Sequence, residues 1–395
     1  MSASAAGIFS ILYFFAPALF SVSYRAEGEM GRSTASSTVV ATVKNANEAA
    51  STAALLTPPL VPEIAVTHIK TPEPLKAIYM SACVAGTPSW RTKLANMINI
   101  TELNAVVVDV KDYTGTISYY PTDPKLDEVH GVGCRVKDMK AFVASLHEKG
   151  IYVIGRITTF QDPAYTKAHP ELAVKRASDG GVWKDRKGLS FIDVSAKPYW
   201  DYIALLARDT YAQGFDEINF DYIRFPSDGN MKDIAYTWTG KMAKSVALEK
   251  FFAYLEENVK PVGAVISADL FGMTTTNTDD LNIGQVLEPA LRHFDYVAPM
   301  VYPSHYPAHF NGWLNPNDHV YDVVNYSMSH AVARAKAATT TPLKLRPWLQ
   351  DFDYGGNYGP VEVRAQIRAT YDAGLTSWML WDPGNKYTPS ALNAS

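Results

Sequence analysis

The sequence predicts a parallel (β/α)8 barrel, the TIM-barrel class, and three observations point to it. From Lys76 onward, apolar runs of strand length alternate with stretches of helical spacing, and eight such runs can be counted. Strands that alternate with helices pair in parallel through right-handed crossovers. Several of the runs also end in charged or aromatic residues, as expected of a barrel whose active site lies at the C-terminal ends of its strands. A doubly wound open sheet is the runner-up, disfavoured because no Gly-rich phosphate fingerprint follows the first run.

The chain has 395 residues, enough for one barrel of about 250 residues with additions. Residues 1–24 carry no charged side chain, and Gly7–Val22 is an apolar run broken only by small residues and Pro17. That length suits a signal-peptide core, with a membrane tether through residues 7–22 as the alternative; either way the expected outcome is export, to a secreted, periplasmic or envelope-anchored location. Residues 25–75 are rich in Ala, Thr, Ser and Pro without periodic pattern, and are expected to form a disordered linker. The barrel domain is then expected over residues 76–395.

Within it the expected strands are Ala77–Val84, Ala105–Val110, Tyr152–Phe160, Glu217–Phe225, Ala264–Phe271, Tyr296–Tyr302, Leu345–Phe352 and Ser377–Trp381. Trp90, Leu94, Met97 and Ile98 recur at helical spacing, as do Val136, Met139, Phe142, Val143 and Leu146. Gly150, Gly214 and Gly374 stand where helices should end, shortly before the next strand. Long connections over residues 161–196 and 227–241 follow the third and fourth strands and are expected to shape a cleft. The eighth helix is expected to be truncated.

Charge inside the fourth run, at Asp221 and Arg224, is the strongest local sign of a site. The other strand ends add Asp109, Lys111, Arg156, Asn219, Asp269, Met300, Tyr302, Gln350, Asp351, Trp381 and Asp382, all expected on one rim. Side chains two residues apart on a strand share a face, so Asp109 should point with Lys111, Asn219 with Asp221, and Met300 with Tyr302. Carboxylates on two adjacent strands, Asp221 and Asp269, are the minimum equipment for glycoside hydrolysis. A rim salt bridge is the plainer reading of any single member.

Other chemistries find no anchor. The sequence has no H-E-x-x-H, G-x-S-x-G, P-loop or Cys/His cluster, so neither metal nor other cofactor is expected. His305 and His309 have a four-residue spacing, but Pro307 between them opposes the helix that such a metal pair would need. A net charge of -4 without a basic block gives no footprint for nucleic acid. Cys83 and Cys134 could pair or stay reduced, and oligomeric state is not encoded in any feature of the chain.

The stretches GFDEINFDYIRFPSDG, LNAVVVDVKDYTG, FGMTTTNTDDLNIGQVLE, YVAPMVYPSHY, LRPWLQDF and WMLWDPGN occur in this order. Together they closely resemble a largely bacterial family of barrels classed as a glycosyl hydrolase domain, formerly a domain of unknown function, over about Lys76–Tyr387. The resemblance implies a carbohydrate substrate. More distantly, GFDEINFDYI is similar to the fourth-strand motif of chitinase-type hydrolases: Asp216 and Asp221 match its first and last aspartates, Asn219 replaces the second, and Ile223 stands in place of the catalytic glutamate. Met300, Tyr302 and Trp381 match the sugar-binding floor of that type. Amylase-type barrels, similar in placing a nucleophile on the fourth strand and an acid on the fifth, imply Asp221 as nucleophile or base and Asp269 as general acid. Arg224, Arg156 and Lys111 would hold the carboxylates ionised and bind sugar hydroxyls. The missing glutamate leaves a second expectation open, a carbohydrate-binding barrel without turnover, tethered to the cell envelope.

Overall fold

The computed structural model describes residues 64–129 and 131–395. The expected signal or anchor segment and most of the expected linker lie outside the described residues.

Eight strands close into a parallel barrel: β1 (Lys76–Met80), β2 (Ala105–Lys111), β3 (Tyr152–Thr158), β5 (Glu217–Asp221), β7 (Val265–Phe271), β8 (Tyr296–Met300), β9 (Trp348–Gln350) and β10 (Trp378–Trp381). Two-residue strands β4 (Lys175–Arg176) and β6 (Ile234–Ala235) lie in the long connections and pair with each other antiparallel. The principal helices are α1 (Ala82–Ala85), α2 (Pro88–Asn99), α3 (Met139–His147), α4 (Pro163–Ala168), α5 (Lys197–Ala212), α6 (Lys244–Val259), α7 (Leu287–His293), α8 (Val320–Ala337) and α9 (Pro360–Asp372). After β10 the described chain forms a 3-10 turn, Pro389–Ala391.

The alternation of side chains along each strand divides the core in two. Ala77, Tyr79, Ala105, Val107, Tyr152, Ile154, Ala298, Trp348 and Met379 fill the barrel interior. Ile78, Val106, Val108, Val153, Ile218, Phe220 and Ile266 face outward and pack against α2, α3, α5 and α6 through residues such as Leu94, Phe142, Ile203 and Phe251. Gly150, Gly214 and Gly374 have φ of 71°, 106° and 87°, the left-handed conformation that ends a helix at little cost only for glycine.

Five strands stop earlier than the sequence suggests, β1 and β5 by the most, four residues each. β1 ends at Met80 because Ser81 caps α1, its Oγ accepting from the Val84 N–H at 3.4 Å. β5 ends at Asp221 because Tyr222 takes φ 50°, a conformation rare for a bulky residue, which turns the chain out of the sheet. The two long connections are joined by the β4–β6 pair over a small core of Val174, Trp183 and Phe191.

Residues 64–75 have no regular secondary structure, yet they are fastened to the N-terminal end of the barrel. Ile69 N donates to Asp216 at 2.7 Å, Thr71 Oγ1 meets the Tyr152 hydroxyl at 2.9 Å, and Leu75 is fully buried. Cys83 and Cys134 form a disulfide, which ties α1 to the loop before α3. Among the described residues, no helix is long and apolar enough to cross a membrane.

Candidate active site

The residues that line the interior at the C-terminal end of β2, β3, β5 and β7 are polar where the layer below is apolar. Arg156, near the end of β3, joins the flanking strands: Nη1 donates to Asp109 on β2 at 2.6 Å, while Nη2 and Nε donate to Asp221 on β5 at 2.5 and 3.1 Å. All three side chains are more than nine-tenths buried. Tyr79 of β1 donates its hydroxyl to the other oxygen of Asp109 at 2.5 Å. Asp221 Oδ1 accepts the N–H of Tyr222 at 2.6 Å, a bond made possible by the turn at that residue.

Asp269 belongs to a second, linked group. Its Oδ1 accepts from Asn219 Nδ2 at 2.9 Å and from Trp348 Nε1 at 2.8 Å. Burial, followed by the negative charge of Asp221, pushes the Asp269 carboxyl well above the ordinary aspartate range, which favours its protonated form. Both N–H donors, an amide and an indole, fall on Oδ1, which leaves Oδ2 as the oxygen available to carry a proton. β5 and β7 pair in register from Glu217↔Val265 to Phe220↔Ala268, which leaves Asp221 and Asp269 one step further on, side by side at the rim. Asn219 Oδ1 is buried without a partner in the protein. Burial, followed by the nearby carboxyl groups, also pushes up the Tyr302 hydroxyl, keeping it a neutral donor.

An aromatic wall closes one side. Trp381 stacks on Tyr79 with ring centroids 3.9 Å apart, meets Trp348 edge-on at 5.5 Å, and lies under the Arg156 guanidinium at 5.1 Å. Met300 is half-buried against the same interior cluster as Tyr302. Asp109, Arg156, Asn219, Asp221, Asp269, Met300, Tyr302 and Trp381 thus lie together at this end of the barrel interior.

Lys111 is not among them. A register shift between Asp109 and Lys111 sets Lys111 opposite Ile157, an outward position, so the two residues do not share a face. Its ammonium is fully buried between the barrel and α5, paired with Asp162 at 2.9 Å and bonded to the Thr158 carbonyl at 2.5 Å. Arg224 does not pair with Asp221 either. The turn at Tyr222 carries it away, and its Nη1 donates to the Phe225 carbonyl and Ser227 Oγ, both at 3.1 Å.

Gln350, Asp351 and Asp382 brace loops. Gln350 Oε1 accepts from Ser304 Oγ at 2.9 Å, Asp351 holds Thr388 through N–H and hydroxyl at 2.9 and 2.6 Å, and Asp382 accepts from Gly384 N at 2.5 Å. Burial raises Asp351 to about 7 and Asp382 to about 6. His305 is half-buried, its pKa lowered by desolvation to about 4, and no group of three metal-ligating side chains occurs among the described residues.

Sequence reasoning passed over Tyr79 and Trp348. Extending β1 to Val84 hid Tyr79 inside a run, although it sits one residue from the true strand end. Trp348 shares a face with Gln350, so the two-residue rule applied to β9 could have found it. Glu217, at the opposite end of β5, is a charge of another kind: it pairs with Arg346 at 2.9 Å in the barrel floor.

The family model described as "Putative glycosyl hydrolase domain" matches residues 77–387, from the first strand to beyond the last. The chain belongs to that family. Among solved structures, it is similar to a hypothetical protein from Ruminiclostridium thermocellum ATCC 27405, with 35% identity over 49% of this chain and 96% of that one at a TM-score of 0.45. The PgaB (BpsB) glycoside hydrolase domain from Bordetella bronchiseptica aligns over 79% of this chain and 94% of its own, with 15% identity and a TM-score of 0.58. A chitobiase from Flavobacterium johnsoniae aligns over 80% of this chain and 45% of its own, with 13% identity and a TM-score of 0.50. The last two likenesses are of fold. No curated protein matches the chain.

Proposed function

We propose that the chain is a glycoside hydrolase in which Asp221 is the nucleophile or base and Asp269 the general acid. One observation carries this reading: two neighbouring carboxyl groups in unlike surroundings, Asp221 ion-paired to Arg156, and Asp269 bonded to neutral donors and pushed upward by burial and by the charge of Asp221. Acid and base assignments follow from such divergent environments. Ile223, at the position of the chitinase-type glutamate, is fully buried in the outer core, so an acid can come only from elsewhere on the rim.

Adjacent strands lie about 4.8 Å apart, and in-register carboxyls at that spacing are closer to the roughly 5–5.5 Å of retaining enzymes than to the wider inverting geometry. Asp221 Oδ1, which accepts a single N–H bond, then attacks the anomeric carbon as Asp269 Oδ2–H protonates the departing glycosidic oxygen. Water hydrolyses the glycosyl-enzyme ester with Asp269 as base, and the proton returns to Asp269. Trp381 and Tyr302 offer a stacking face and a hydroxyl to the sugar.

The Cys83–Cys134 disulfide favours an oxidising compartment and supports the expectation of export, with an envelope polysaccharide as substrate. Reducing-sugar release from a panel of envelope and plant glycans tests the reading. Binding without release on every glycan that binds would favour a non-catalytic receptor instead.

A further inference from the structure

Arg224 is charged, more than nine-tenths buried, and has no carboxylate partner among the described residues. Its guanidinium is wrapped by rings, at 5.1 Å from the Tyr222 centroid, 5.0 Å from Phe271 and 5.7 Å from Phe191. These rings come from the turn after β5, the end of β7 and the long connection after β3, which places Arg224 at the catalytic end of the barrel. Among the described residues, only Nη1 is bonded to protein. Nε and Nη2 carry the remaining N–H groups, and neither nitrogen is sealed from solvent as an orphaned buried atom.

A guanidinium buried without a counter-ion is costly, and the Arg–carboxylate fork is the geometry that relieves it. The unused Nε/Nη2 edge presents two parallel N–H bonds, which match the two oxygens of one carboxylate. The aromatic surround adds ring faces of the kind on which sugars stack. Asp221 is three residues away in sequence and its charge acts on Arg224, so a group held here lies on a sugar in the neighbourhood of the bond being cleaved rather than on the reacting atoms.

We infer that Arg224 binds the carboxylate of an acidic sugar residue, so that the substrate class is a carboxylated glycan, uronate-containing or similarly acidic. The inference rests on reading the rim as a glycosidase site and adds its specificity. Lowering of the Arg224 pKa by burial, only partly offset by more distant carboxylates including Asp221, Asp228 and Asp185, agrees with an unmet demand for an anion.

The test uses the full chain and binding, separately from turnover. Acidic polymers such as polygalacturonate, alginate and hyaluronan are each paired with their carboxyl-reduced neutral form, and a sulfated neutral polymer controls for plain ion exchange. The expected result is at least one acidic polymer bound about tenfold or more tighter than its reduced form, with the sulfated polymer not substituting. Arg224→Gln should abolish that preference, and Arg224→Lys should restore only part of it, because a point charge cannot fork. Equal affinity for acidic and reduced forms, or a preference unchanged in Arg224→Gln, overturns the inference. If Arg224→Gln fails to fold by circular dichroism, an undiminished preference in Arg224→Lys overturns it equally. An Arg224-dependent preference without sugar release would contradict the glycosidase reading alone, whereas release from neutral glycans at a rate indifferent to Arg224 would contradict this inference alone.

Discussion

Replacing Arg156 by methionine removes the single cation that bridges Asp109 and Asp221, together with three N–H···O bonds of 2.5 to 3.1 Å. Breaking a buried pair by deleting one partner costs about 3–5 kcal/mol, and here two carboxylates lose their partner at once. The total stays bounded because each can take up a proton; at pH 7, protonating a carboxyl of ordinary pKa near 4 costs about 4 kcal/mol. For Asp109 the bound is lower, since burial already raises it despite Arg156. A loss of roughly 4–5 kcal/mol at pH 7 is therefore expected. The folded variant holds protons that its unfolded chain has released, so its deficit shrinks as pH falls, by up to about 1.4 kcal/mol per pH unit for each such group, until the ordinary carboxylate pKa is reached. Urea denaturation of wild type and variant at pH 7 and pH 5 measures both quantities. A loss below about 1 kcal/mol at pH 7, or one that does not change with pH, would refute the argument that Arg156 compensates buried charge.

Asp269→Asn should remove the basic limb of the kcat/KM profile, because that limb reports loss of the Asp269 proton, and should slow natural glycans far more than activated aryl glycosides. The raised pKa also sets a sign for stability: the wild type loses stability as pH rises from about 4 through the elevated Asp269 value, and the asparagine variant should lack that loss in thermal melts across the same window. Deleting residues 25–63 should leave the melting temperature of the barrel unchanged, whereas deletion through residue 75 should lower it by several degrees, since Ile69, Thr71 and Leu75 close the lower end of the barrel. Equal melting temperatures for the two truncations would show that those contacts add nothing.

The architecture was legible because each barrel layer is written in side-chain periodicity. All eight strands fall on the expected runs to within one residue at β1's start and β2's end, and the glycines at 150, 214 and 374 mark the helix ends through a conformation that other residues avoid. The site was legible where alternation is regular, as for Asn219, Asp221 and Asp269 on their paired strands. It was hidden wherever the backbone departs from regularity. One extra residue in β2 sends Lys111 to the outside of the barrel, and a single positive φ at Tyr222 takes Arg224 out of reach of Asp221, leaving Arg156 from the neighbouring strand to serve instead. Pattern alone also does not distinguish charge at the rim from charge at the floor, where Glu217 and Arg346 pair far from any chemistry. The barrel boundary at residue 76 missed the strap of residues 64–75 because extended chain that is fixed by a few hydrogen bonds carries no periodic signal.

The paired-carboxyl mechanism is tested most directly by the anomeric form of the first product, followed by proton NMR on a glycan that the wild type hydrolyses, with Asp221→Asn as the control. The geometry predicts retention at the anomeric carbon and no product from Asp221→Asn, whose amide keeps the shape and fold of the site but cannot attack. Inversion would contradict the double displacement through Asp221, and full activity in a folded Asp221→Asn chain would contradict its catalytic role altogether.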